Sequence, residues 1–580
     1  MKLRPLHHKS PKISFVGSLI GTIENKLPSD RLILRVLFFT LVGSLVSACI
    51  LWSSTFSKAT PVAGGTVEEG VIGIPRFVNP ALAVTRADLD MTALLYSGLM
   101  KVNPQGALVP DLAESVTVSD DGKTYNVIIR NNLRFHDDTP LTARDVAFTI
   151  GLIQNADLKS PLRGNWSDVT VEEIGEYELN IVLNQPYTPF IENFTLGILP
   201  KHIWSQIPIE QIPFSLKNTD PVGSGPFMVR TVEKDAAGLI NIYKLKKFIE
   251  NEPVILSGVN VHFYQNEDGL STAFKSGEIT STTQLPLRDV SALKENTAYQ
   301  IVTEPLPRVF AIFFNQNKSP ALRDTAVRLA LTTAIDRGVL VDTALASFGV
   351  PTMNPVPPNH PAVESASQIV DSSTSTPQVR AESILVKAGW IKNNTGSWEK
   401  RIDGEVRNLS ITLKAANTPA FEATTEVVAR AWRELGVTVQ IEAFEQSDLL
   451  QAVIRPRDFE SLLFGIDMNQ AVDLYPFWHS SQREDPGLNI SQYANIEVDR
   501  LLDRARTATS TDTQNAAAKA ALQIIAREIP AAFLYVPDLV YVLKTDINVS
   551  DMKRLSKPQD RFMNINEWNT EIDNIWPIFK

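Results

Sequence analysis

LLYSGLMKVNPQGALVPDLAESVTVSDDGKTYNVIIRNNLRFHDDTPLTARDVAFTI, residues 94–150, passes from turn to strand to helix within one stretch, and that alternation sets the class of the chain. Asp120-Asp121-Gly122 is a turn signal. After it Tyr125, Val127 and Ile129 alternate with Asn126, Ile128 and Arg130, the period of a half-buried strand. Thr142 is placed to cap a helix, with Asp145 near the helix's positive end. Val146, Ile150 and Ile153 then fall on one helical face, which reads as packing rather than chemistry.

The same mixture continues outward without a fixed repeat, so a mixed α/β protein is expected. VGSGPFMV, residues 222–229, is a tight turn entering a strand; it lacks the Lys-Ser/Thr that a phosphate-binding loop requires. VFAIFFNQN, Val309–Asn317, reads as a strand buried on both faces, followed by a helix carrying Val327, Leu331, Ile335 and Leu340. Residues 355–380, rich in Pro, Ser and Thr, read as a surface excursion. Near the C-terminus, two amphipathic helices precede a return to strand in FLYVPDLVYVL.

With 580 residues, more than one lobe is expected from size alone. A hydrophobic content of 44% and charged content of 21% are those of a folded chain. The net charge of -10 and the lack of a basic stripe in the body argue against nucleic acid as a partner. One cysteine, Cys49, excludes an intrachain disulfide, and the seven histidines lack the HExxH spacing of a zinc site, so no metal or other cofactor is expected. No GxSxG elbow or other catalytic constellation occurs, and the protein is read as a non-enzyme.

The N-terminal segment sets the compartment. Residues 36–57 carry no charge, enough to cross a hydrocarbon layer of ~30 Å as a helix. Before them lie Lys2, Arg4, Lys9, Lys12, Lys26, Arg31 and Arg35 against Glu24 and Asp30, so residues 1–35 are expected as a cytoplasmic basic head and the body outside. Three readings of 36–57 stand. One is an uncleaved transmembrane signal anchor; another is a lipoprotein signal, since Val46-Ser47-Ala48-Cys49 is similar to a lipobox and Cys49 would carry the lipid; the third is a simple secretory peptide cut nearby. The small and polar residues 53–63 suit a flexible tether, assigned to 58–64.

In order and spacing these motifs resemble the family-5 extracytoplasmic solute-binding proteins of ABC importers, a group of peptide, dipeptide, nickel and some oligosaccharide receptors. The resemblance starts at Gly64-Gly65-Thr66, runs through the 94–150 block, and resumes at DPVGSGPF, at NQNKSPALRDTAVRLALTTAIDR and at NISQYANIEVDRLLDRA. Asp138 stands where the pattern usually has Gly, Val116 where it often has Trp, and Thr280 where Asp is common. The resemblance implies a two-lobed periplasmic-binding-protein-like α/β fold (class II, cluster C type) with an extra α/β domain. Lobe I is then expected over 65–100, 219–302 and 529–580, the extra domain over 101–218, and lobe II over 303–528. It also implies a monomer that closes over a peptide or other small solute and delivers it to ABC permease subunits.

A peptide's free ammonium needs a carboxylate partner once it leaves water. In FGIDMNQAVDLYPFWHSSQ, which resembles the family stretch carrying such an Asp, Asp473 is the first candidate and Asp467 the second. Asp473 could equally cap the helix that follows it. Phe464, Tyr475 and Trp478 could line pockets beside the Asp or belong to the core, His479 reads as packed, and Asn79 is a polar contact or the turn residue before Pro80. The same fold could instead take an oligosaccharide or nickel chelate, or report solutes to a signalling partner.

Overall fold

The structure is a computed structural model describing residues 28–56, 58–248, 254–358, 375–402, 404–468, 473–508 and 510–575. In the 94–150 block, Ala113–Val118 and Thr124–Ile129 pair antiparallel and the helix Ala143–Gln154 follows. Asp145 secures that helix: its Oδ2 accepts from the Thr142 N–H at 2.9 Å, and its Oδ1 accepts from the Lys201 N–H at 2.9 Å. Asp138, just before it, has φ of 66°, the left-handed region in which Gly is least strained and Asp is tolerated better than most.

Two units are distinguished. The first comprises residues 1–62 and 571–580. Within it lie the helix Pro28–Phe56 and the strand Lys58–Pro61, which pairs antiparallel with Ile572–Ile575. Residues expected as a tether thus form a strand for part of their length, and its partner strand Ile572–Ile575 comes from the C-terminal stretch expected in lobe I. Among the described residues no helix is long and apolar enough to cross a membrane. The expected span over 36–57 and the Cys49 side chain fall partly or wholly outside those described, as do the head over 1–27 and most of the excursion at 359–374.

The second unit, residues 63–570, is built on one twelve-stranded sheet. From one edge its order is Thr438–Phe444, Ser410–Ala416, Ser461–Asp467, Arg308–Phe314, Ala531–Lys544, Ser281–Thr282, Thr66–Ile72, Gly258–Tyr264, Ile240–Lys247 and Phe227–Lys234. Ala531–Lys544 is the strand common to both halves. Its first part pairs with Arg308–Phe314 and Gly349–Pro351, and its second part with Tyr299–Pro305 and Ser281–Thr282.

The chain therefore crosses between halves twice, at 305–308 and at 537–538, on two adjacent strands. The expected boundary at 528/529 lies before this strand, whereas the crossing falls in its middle. Hydrophobic packing follows the same division except beside the crossing, where Phe348 of lobe II shares a cluster with Leu270, Phe274, Val540 and Val542 of lobe I. One core runs without a break from Val67 and Val71 through Tyr125, Ile150, Phe190 and Phe194 of the extra domain to Tyr541 and Trp568, so lobe I and the extra domain are welded by shared apolar burial. Lobe II has separate cores around Leu331, Leu413 and Trp432 and around Phe313, Trp478 and Phe533.

Candidate functional site

Strand direction locates the cleft. In lobe I, Thr66–Ile72, Gly258–Tyr264 and Ser281–Thr282 run parallel, and Thr282 opposite Val542 shows that their C-terminal ends point toward the crossing. In lobe II, Thr438–Phe444, Ser410–Ala416 and Ser461–Asp467 are parallel, and Asp467 lies opposite Arg308, the residue just past the crossing. Each lobe thus turns the carboxyl ends of its parallel strands toward the other, the position at which open α/β sheets bind ligands.

Asp467 is at the cleft end of its strand. Its side chain is 69% exposed, and Arg308, itself 40% exposed, donates to both of its oxygens, with Nη2 to Oδ2 at 2.7 Å. Asp473 is different: it is only 15% exposed and both oxygens are occupied. Oδ1 accepts from the Tyr475 N–H at 3.0 Å, a local capping bond, while Oδ2 accepts from the Tyr187 hydroxyl at 3.1 Å and lies 3.4 Å from Arg506 Nε.

Phe464 is half-buried on the same strand as Asp467, opposite Ala311. Tyr475 stacks on His479, with ring centres 4.2 Å apart, and its hydroxyl meets Ser481 Oγ. His479 Nδ1 lies 2.8 Å from the same oxygen. Trp478 is fully buried against Phe313, Tyr493 and Phe533, a core position from which it reaches no cleft. Asn79 is also fully buried: its Oδ1 accepts from the Ala81 N–H and its Nδ2 donates to Asn218 Oδ1 at 3.2 Å, so it holds a turn and is not available to a solute. Among the described residues no group of His, Cys, Asp and Glu could hold a metal ion.

Three features were not found in the sequence. Tyr187 and Arg506 are distant partners of Asp473. Asp538 sits at the crossing itself; burial, then the nearby Glu304, pushes its carboxyl up to about 6, and its Oδ1 has no hydrogen-bond partner among the described residues. Beneath the lobe I face of the cleft, Arg561 donates to Glu69 Oε1 and Asp90 Oδ2, both at 2.8 Å, and to Asp90 Oδ1 at 2.9 Å. Arg86 closes on Asp90, and Tyr541 and Ser281 donate to Glu69, so two carboxylates and two guanidiniums neutralise each other inside the lobe.

Two cored lobes, joined by a pair of crossing strands and facing each other with strand carboxyl ends, are the architecture of a hinged solute receptor. The chain belongs to the bacterial extracellular solute-binding proteins, family 5, whose model matches residues 107–485. It is 29% identical over 515 residues to the oligopeptide-binding protein AppA of Bacillus subtilis strain 168, covering 86% of this chain and 92% of that protein. The solved structure of B. subtilis AppA in complex with a nonapeptide matches with a TM-score of 0.68 at 27% identity, over 88% of this chain and 99% of the other. The ABC transporter substrate-binding protein CtaP of Listeria monocytogenes shares the fold, with a TM-score of 0.72 at 24% identity, over 88% of this chain and all (100%) of that one.

Proposed function

We propose that this chain is the peptide receptor of an ABC importer, trapping its ligand by closure of lobe II onto lobe I and delivering it to a membrane permease. The observation that carries the reading is the pair of strand crossings under two opposed rows of strand carboxyl ends, in a chain similar to a protein solved with a nonapeptide. Closure buries the ligand between lobes, so binding shifts the open and closed populations. Extended peptides fit such a cleft through main-chain hydrogen bonds.

For the ligand's ammonium we place Asp467 ahead of Asp473. An exposed ion pair such as Arg308–Asp467 is worth roughly 0–1 kcal/mol, so an incoming cation displaces Arg308 at little cost. Asp473 is held within lobe II by Arg506 and by the Tyr475 N–H, and freeing it would mean giving up both. Phe464, beside Asp467, is proposed as a pocket wall.

Titrating short peptides with free and acetylated N-termini into wild-type and Asp467→Asn protein tests this assignment. Acetylation is expected to weaken wild-type binding about tenfold or more, and far less in the variant, as for loss of one charged hydrogen bond. If the variant discriminates against acetylated peptides as strongly as wild type does, Asp467 is not the partner. Mass spectrometry of the copurifying solute addresses ligand class, and recovery of an oligosaccharide or a metal chelate would displace the peptide reading.

The body is proposed to be held at the outer face of a membrane by residues 36–57. The support is charge: no ionised side chain occurs there, and cations dominate before it. Intact-mass measurement of membrane-extracted protein separates the two modes. A chain beginning at a lipid-modified Cys49 indicates a lipoprotein, a full-length chain an uncleaved anchor, and an unmodified chain recovered entirely in the soluble fraction neither.

A further inference from the structure

The contacts around Asp473 join different bodies. Lobe I and the extra domain share one core and lobe II has two of its own, with Phe348 beside the crossing the point where lobe II enters a lobe I cluster, so rotation at 305–308 and 537–538 separates residues 65–305 from the bulk of 308–537. Tyr187 belongs to the first body. Its carbonyl accepts from the buried Tyr125 hydroxyl, and the short helix it precedes, Thr188–Thr195, sinks Phe190 and Phe194 into the shared core. Asp473, Tyr475 and Arg506 belong to the second body, Arg506 on the helix Ile496–Thr507.

Across this boundary the Tyr187 hydroxyl donates to Asp473. The Arg506 guanidinium sits between two rings, 4.8 Å from the centre of Tyr187 and 4.5 Å from that of Tyr475. Thr188 Oγ1 donates to the Ala508 carbonyl at 3.0 Å. A planar cation between aromatic faces, bonded to a carboxylate that also accepts a phenol, is a directional arrangement that tolerates little displacement. The contacts that Tyr187 and Thr188 make with Asp473, Arg506 and Ala508 are outside the two crossing strands, so the hinge cannot preserve them when the lobes part, whereas Arg506 keeps Asp473 and Tyr475 within lobe II.

We infer that Tyr187, Arg506 and Asp473 form a latch across the mouth of the cleft that sets how much of the unliganded receptor is closed. Affinity follows, because a ligand that binds one conformation has an apparent Kd equal to its intrinsic Kd divided by the fraction of protein already competent. The ligand contributes main-chain bonds and the latch contributes closure. Such a device raises affinity for every peptide alike and selects none.

The inference rests on the receptor reading, but its first readout needs no ligand. Spin labels at Asp168→Cys and Arg500→Cys, in a Cys49→Ser background, report the separation of the two bodies by pulsed paramagnetic resonance. Unliganded wild type is expected to show a short-distance population that Tyr187→Phe diminishes and Arg506→Ala abolishes, with melting temperatures confirming that the variants fold. Peptide affinity should fall roughly tenfold in Arg506→Ala, mainly through faster dissociation, and by a similar factor for free and acetylated peptides. Arg506→Lys, which keeps the charge but loses the stacked plane, should lie between. The latch is overturned if unliganded wild type shows only the wide separation, or if the Arg506→Ala distance distribution matches wild type. Unchanged distances with lost binding would make Arg506 a ligand contact instead.

Discussion

Arg561→Met is expected to lower the folding stability of the body by roughly 3–5 kcal/mol, the loss that follows when one partner of a buried ion cluster is removed and its counter-charges stay behind. Arg561, Glu69 and Asp90 have essentially no exposure. Burial alone would lower the Arg561 pKa, but Asp90 and Glu69 more than offset it and leave it raised. At Asp90 burial pushes the carboxyl up, and Arg561 followed by Arg86 pulls it below the usual range. Methionine fills similar space, and its flexible thioether can lie on Phe562, whose ring centre is 3.8 Å from the guanidinium carbon. What remains is two buried carboxylates against one guanidinium, Arg86 on Asp90, with only the neutral hydroxyls of Tyr541 and Ser281 on Glu69.

The urea midpoint of the far-ultraviolet signal from lobe I measures the effect. Adding Glu69→Gln and Asp90→Asn to Arg561→Met should recover a large part of the loss, because the penalty lies in stranded charge rather than lost contact area. A midpoint that Arg561→Met hardly moves would show the cluster open to water. The cluster also bears on the cleft. Glu69 lies on the strand ending at Ile72, and Arg86 donates to Thr283 Oγ1 at 2.8 Å just past the strand Ser281–Thr282, so the cluster braces two of the parallel lobe I strands at their carboxyl ends.

Local periodicity made much of the fold legible. Tyr125, Val127 and Ile129 are buried along Thr124–Ile129, and Val146, Ile150 and Ile153 on the helix beyond, because each pattern has one solution against a core. The run from Val309 falls on Arg308–Phe314, buried on both faces between neighbouring strands. FLYVPDLVYVL was legible as strand but not as hinge: an apolar residue looks the same whichever lobe supplies its neighbour, and nothing in the run marks 537–538 as the point where partners change.

The site was less legible for the same reason. Asp473 and Asp467 carry the same chemistry in the sequence, and what separates them is Tyr187, 286 positions from Asp473, and Arg308, 159 from Asp467. Trp478 and Tyr475 are three residues apart on one short helix, yet one faces the core and the other Arg506. Four helical residues are too few for a hydrophobic period to declare a face.

Gly223→Ala is expected to be the most damaging single methyl group in the body, at roughly 3 kcal/mol or more, since a clash against backbone is relieved only by moving the backbone. A Cβ at Gly223 would lie 1.9 Å from the Leu95 carbonyl oxygen, and one at Gly225 would lie 2.6 Å from the Leu95 carbonyl carbon. The approach is close because Gly225 donates its N–H to that oxygen at 2.9 Å, fastening the return from the extra domain onto lobe I. His136 completes the joint: its Nδ1 accepts from the Gly223 N–H at 3.2 Å, and its Nε2 lies 3.1 Å from the Gly225 carbonyl, to which it donates as the neutral ring. Burial lowers the His136 pKa to about 4. The unfolded chain takes up a proton near pH 6.5 while the folded chain resists it down to about 4, so this stabilisation is complete above 6.5 and is lost as pH falls through that window, by roughly 3 kcal/mol over its full extent. Denaturation midpoints of wild type between pH 7 and 5 should therefore fall more steeply than those of His136→Gln, which has no proton to gain. Parallel slopes for the two proteins would mean that the ring is hydrated and titrates normally, and the joint would then rest on the glycines alone.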